Sequence, residues 1–240
     1  MLGRIFKYEV KRSLPLYIVW AVIAVILAMA ARLKFFSLAD MPLFYLMFFS
    51  SIGILLYRYY CTMHGKEAEL LFSVDLSPAK QMLLRYAGFF AGSIVTTLMI
   101  GLTIKIQNED LGKMLQNLPF MVSVLLTVEV TFSAFTLLIF ISTALSISHI
   151  RPFSEKQILW FVIILSAIIA VVGLCSKATE TFMSSYWVVT ESGELLRSEI
   201  NNTPSSISFS SNTLIFDVIF SVVCMVSMPI IIRKKLMITT

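Results

Sequence analysis

Six apolar stretches separated by polar segments set the pattern of this chain: Leu14–Ala31, Leu43–Tyr57, Leu83–Ile104, Leu118–Leu145, Ile158–Leu174 and Leu214–Ile232. A bilayer's hydrocarbon core takes about 20 residues of helix to cross. Five of the stretches approach or reach that length. The second does so only if Met41, Pro42, Arg58, Tyr59 and Tyr60 are counted at its interfaces. The pattern predicts an all-α polytopic membrane protein with six transmembrane helices. Composition agrees: 58% of residues are apolar and 14% charged, where soluble domains carry about 25% charged residues. Six spans in 240 residues leave little chain for a soluble domain, so residues 1–240 read as one membrane domain.

Charge gives the pattern two sides. Short loops rich in Lys and Arg stay cytoplasmic. The N-terminus, the loops after spans two and four, and the C-terminus together hold thirteen such residues, against six on the other side. Both termini are therefore expected in the cytoplasm. The net charge of +5 follows from this arrangement and does not indicate a nucleic-acid partner. These cations sit where anionic headgroups of membrane lipid meet them. The first stretch reads as a span and not as a cleaved leader, because its removal would reverse the charge bias of the other five.

Residues 2–13 are amphipathic, with Arg4, Lys7 and Lys11 on one face and Leu2, Ile5, Phe6 and Val10 mostly opposite. This predicts an interfacial helix, with Pro15 opening a new helix for the first span. The cytoplasmic segment 58–82 contains Gly65-Lys66-Glu67-Ala68-Glu69-Leu70-Leu71-Phe72, then Asp75-Leu76-Ser77-Pro78. Ser77 is placed to cap a helix whose first residue is Pro78. Three adjacent apolar residues, Leu70, Leu71 and Phe72, need burial against something.

Segment 58–82 resembles the stretch after the second span in small bacterial ABC-2-type transporter permeases. Arg58-Tyr59, Gly65-Lys66-Glu67-Ala68, Leu70, Phe72-Ser73, Leu76-Ser77-Pro78 and Lys80 carry the likeness. The order Leu-Ser-Pro departs from the more usual Leu-Pro-x-Ser. The resemblance implies a subunit in the bacterial cytoplasmic membrane that forms a path for export. Gly65, Lys66, Glu67, Glu69, Leu70, Leu71 and Phe72 would dock on a separate ABC ATPase. That partner would hold ATP and magnesium, and a second permease copy or paralogue would complete the path. Small systems of this kind export, or confer immunity to, antimicrobial peptides or drugs. No G-x-x-x-x-G-K-[ST] occurs in the chain, so it has no phosphate-cradling loop of that kind. It is expected to bind no cofactor and not to be an enzyme.

The outer segment 175–213 holds Glu180, Glu191, Glu194 and Glu199, and an aromatic group around Tyr186 and Trp187. It reads as an external loop with the aromatics suited to an interface or a re-entrant hairpin. Within span four, Glu129 is a carboxylate at a depth where it must face protein or water. Ser133, Thr136 and Thr143 fall on its helical face. These residues are candidates for lining the translocation path; the competing reading is a carboxyl hydrogen-bonded between helices. Glu129 also supports an alternative function, an ATPase-independent protein such as a proton-coupled carrier or a peptide-binding immunity factor. Gly88 and Gly92 form a G-x-x-x-G that lets helices approach, and Ala24 and Ala28 a weaker version of it. Cys61, Cys175 and Cys224 lie at different depths and imply no disulfide framework. His64 and His149 read as solvated loop residues, and no metal-ligand spacing is present.

Overall fold

The computed structural model describes residues 2–33, 40–64, 77–107, 120–150, 153–182, 186–189, 195–198 and 207–239. Six long helices dominate these residues: α1 Leu2–Arg32, α2 Asp40–Met63, α3 Pro78–Gln107, α4 Phe120–Ser148, α5 Gln157–Phe182 and α6 Ser211–Thr239. A single 3-10 turn, Phe153–Lys156, leads into α5. Among the described residues, four segments are long and apolar enough to cross a membrane: Val10–Arg32, Ala79–Ile106, Val122–Ser148 and Phe153–Ala178. In α6 only the shorter stretch Ile215–Ile231 is comparably apolar. The helix α2 is not among the four, although its 24 residues take in Met41, Pro42, Arg58, Tyr59 and Tyr60.

Exposure follows the logic of a lipid solvent. Val19, Ile26, Leu98, Leu174 and Val226 are exposed, while Ala24, Ala28, Ser51, Ser93, Thr96 and Ser142 are buried. In water this distribution would cost free energy, because large apolar surface is left out and hydroxyls are enclosed. In hydrocarbon the large side chains lose nothing at the surface. Small and hydroxyl-bearing residues are then what let helices approach and hydrogen-bond. The chain is a helical membrane protein by this criterion.

Three sequence expectations are corrected. Residues 2–13 do not form a separate helix: α1 runs unbroken through Pro15 to Arg32. Proline removes one helical hydrogen bond but is tolerated within membrane helices, where local adjustments re-satisfy the freed groups. The segment expected to be external begins later than Cys175, since α5 continues to Phe182. It is also not wholly irregular or helical, because β1 Tyr186–Val189, β2 Leu195–Ser198 and β3 Ile207–Ser210 form an antiparallel sheet in the order β2-β1-β3. The central strand pairs Trp187 with Arg197 on one side and with Phe209 on the other. The all-α class thus gains a small sheet, because Tyr-Trp-Val-Val is β-branched and aromatic, as strands prefer. As anticipated, a helix begins at Pro78 after Ser77, whose carbonyl accepts the Gln81 N–H at 3.2 Å.

Contacts gather the chain into two compact units, Met1–Asn117 with Val130–Leu138, and Leu118–Glu129 with Ile139–Thr240. In the first, α1, α2 and α3 pack against one another. Trp20, Ala24, Ala28, Met47 and Ile100 form a buried cluster there. Hydroxyls join helices of this unit as well: Ser51 of α2 bonds Thr96 of α3, and Thr97 of α3 bonds Thr131, in the part of α4 that belongs to the unit, at 3.0 Å. Thr96 and Thr97 also donate to the carbonyls of Gly92 and Ser93. A Thr97→Val and Thr131→Val double-mutant cycle, read by unfolding in micelles, is expected to return a coupling of about 0.6 kcal/mol, the mean for interhelical bonds in membranes. A coupling near zero would show that the pair does not help to hold α3 to α4.

In the second unit α5 packs against α6. His149 is not a solvated loop residue. Its Nδ1–H donates to the Leu145 carbonyl at 2.7 Å, and its Nε2 accepts from Gln157 Nε2 at 2.6 Å. Those two bonds fix one tautomer and join the end of α4 to the start of α5 across the turn. Phe153 and Trp160, with ring centroids 4.8 Å apart, brace the same corner.

Candidate functional site

Within the first unit, the amino-terminal part of α1, the end of α2 and the start of α3 line a half-open cavity of about 260 Å³. Each element brings a particular chemistry. From α1 come Ser13, Leu14 and Tyr17; from α2, Leu55, Arg58, Tyr59 and Thr62; from α3, Gln81, Leu84, Arg85, Gly88 and Gly92. Positions 55, 58, 59 and 62 recur at three- and four-residue spacing, as do 81, 84, 85 and 88, so each set shares one helical face.

The cavity is polar at one end and apolar along most of its length. Arg58 and Arg85 are 7% and 9% exposed, and both line it. Buried arginines are costly to desolvate unless their donors are engaged. Arg85 Nη1 donates to the Gln81 carbonyl at 2.9 Å, and Nη2 reaches the Thr62 carbonyl at 3.4 Å. These bonds link the end of α2 to the start of α3 and hold the guanidinium at the wall. Thr62 donates to the carbonyl of Arg58 at 3.0 Å. Tyr59 is buried and meets Phe89, ring centroids 5.6 Å apart.

The two glycines of the G-x-x-x-G have different roles. A Cβ at Gly92 would stand 2.7 Å from Leu55 Cδ2 and 2.8 Å from the Tyr17 hydroxyl. Here α1 and α2 come against α3 as closely as a missing side chain allows. A Cβ at Gly88 would meet nothing within 4 Å, because Gly88 faces the cavity. Its small size leaves the space open instead of letting a helix in.

Other sequence candidates lie elsewhere. The segment Gly65, Lys66, Glu67, Glu69, Leu70, Leu71 and Phe72 falls outside the described residues. Glu129 is half-buried, Ser133 exposed and Thr136 buried. They therefore do not form a uniform lining, although they share a helical face, because burial depends on which neighbours cover each level. None of the three lines the cavity. Among the described residues no group of three or more His, Cys, Asp or Glu is placed to hold a metal.

Sequence reasoning marks Arg85 as a cation that sets orientation, and Arg58 as one that also stands at the interface of span two and opens the ABC-2-like segment, but it does not bring the two together. The available signal is their helical phase. Arg85 stands four residues after Gln81, and Arg58 four before Thr62, each on a face that also carries small or aromatic residues. Such a face packs inward in a membrane helix.

No family model, curated protein or solved structure matches this chain.

Proposed function

We propose that this chain is the transmembrane subunit of an ATP-driven exporter of the ABC-2 type, with both termini in the cytoplasm and six helices in the membrane. The observation that carries the reading is the Gly65–Phe72 motif in the connection between α2 and α3. A docking element there would act on two helices at once, since α2 and α3 pack together and Arg85 bonds across their ends. Motion delivered by a partner would then enter the bundle through a joined pair. The chain has no phosphate-cradling motif, so ATP and magnesium belong to that partner ATPase. Antimicrobial peptides or drugs are the proposed cargo, and a second permease copy or paralogue completes the path.

The test is whether an ABC ATPase co-purifies with the full chain from its native membrane in mild detergent. The native chain is expected to retain the ATPase, and the charge reversals Lys66→Glu with Glu67→Lys are expected to lower export at least tenfold without unfolding the protein. Native-like retention and export in the reversed variant would overturn the docking role. Glu129 supports the alternative, a proton-coupled carrier or a peptide-binding immunity factor. Export that survives ATP depletion but collapses with the proton gradient would establish the carrier. Full activity of Glu129→Gln would remove its main support.

A further inference from the structure

The cavity has the form of a receptor for an amphiphile. Its charged groups, Arg58 and Arg85, come from the last turns of α2 and the first turns of α3. Its apolar wall continues along α3 to Val95. Arg85 and Val95 are ten residues apart, about 15 Å along a helix. Leu55, Phe89 and Ala91 line the interval, and the open position at Gly88 keeps it clear. Guanidinium groups present paired donors that match phosphate oxygens. The site stands in a helical bundle whose outer surface is solvated by lipid, so the most abundant amphiphile at hand is the bilayer itself.

We propose that this cavity binds one anionic phospholipid, with its phosphate against Arg58 and Arg85 and the upper part of an acyl chain along α3 toward Val95. The lipid belongs to the leaflet on the side of the chain's N-terminus. It would fill the gap among α1, α2 and α3 with a ligand whose charge is opposite to that of the two arginines. The site stands independently of the exporter reading, because it requires only that the helices lie in a membrane.

The test uses the purified full chain and native mass spectrometry, with phosphatidylglycerol or phosphatidylcholine offered in mixed micelles. The native protein is expected to retain one phosphatidylglycerol with at least a tenfold preference over phosphatidylcholine. Arg58→Gln with Arg85→Gln is expected to abolish that preference. Lys80→Gln removes an exposed charge at the same end of α3 and is expected to leave the preference intact. Gly88→Leu fills the cavity without altering charge and is expected to lose the bound lipid while the protein stays folded. That arm decides the matter if the double arginine variant does not fold. Equal retention of both lipids, or an effect of Lys80→Gln as large as that of the arginine pair, would overturn the site in favour of diffuse surface charge. Displacement of the lipid by millimolar inorganic phosphate alone would overturn it in favour of a free-anion site.

Discussion

Trp20→Ala is expected to lower the unfolding free energy in micelles by about 3 kcal/mol, the low end of the range for truncating a buried tryptophan. Trp20 is 6% exposed and belongs to the cluster with Ala24, Ala28, Met47 and Ile100. Its Nε1–H donates to Ser50 Oγ at 2.9 Å, and Ser50 donates in turn to the Met47 carbonyl at 3.1 Å. Tyr17 meets the ring edge-on, with centroids 6.2 Å apart. The truncation thus opens a void between α1 and α2 and breaks a bond that joins them. The loss stays near the low end because unfolded membrane helices remain in lipid, so little transfer from water is involved. The dispersion attraction forfeited by the atoms around the void carries the cost. Trp20→Phe keeps most of the ring volume and loses only the bond to Ser50, so its expected cost is about 1 kcal/mol. Reversible unfolding in SDS–detergent mixtures measures both. Equal effects of the two variants would show that the hydrogen bond and not the ring volume holds the helices.

The second large effect is a contrast within one helical turn. Gly92→Leu is expected to destabilise the first unit by about 3 kcal/mol through overpacking, whereas Gly88→Leu is expected to leave stability within about 0.5 kcal/mol of the native value. At Gly92 even a methyl group would press on Leu55 and the Tyr17 hydroxyl from two other helices. The far ends of those side chains can shift for alanine, but a branched chain would have to displace Leu55 and Tyr17 together. At Gly88 the new side chain enters the cavity, where nothing lies within 4 Å of its Cβ. Thermal unfolding of both variants in one detergent reads the difference. Similar melting points would mean that the two glycines are equivalent packing residues.

That contrast marks a boundary of sequence reading. A G-x-x-x-G specifies two small residues on one face, but not what stands opposite each. The same holds for the stripe from Glu129 through Ser133 to Thr136. Helical phase puts these residues on one side, yet Ser133 is exposed and Thr136 buried. Tyr186-Trp187-Val188-Val189 signals the strand β1, but pairing with β2 and β3 is non-local and its register cannot be read from the strand itself. Pro15 is a strong local signal for a helix start, and the continuity of α1 overrides it.

Hydropathy and length alone are enough to show that this chain is built of apolar helices and where most of them run. Each membrane helix satisfies its backbone locally, so no distant residue is needed to announce it. The start of α3 at Pro78 is equally local, since it rests on a cap signal. Which residues face inward is a different matter, settled only by how the helices pack. In lipid the outer surface is as apolar as any core, and hydrophobic periodicity loses its power to mark the buried face. The seam Ser51–Thr96, the close approach at Gly92 and the cavity around Arg58 and Arg85 depend on three helices meeting at particular levels. Through that meeting, two cations that serve in the sequence as markers of orientation become the charged wall of a site.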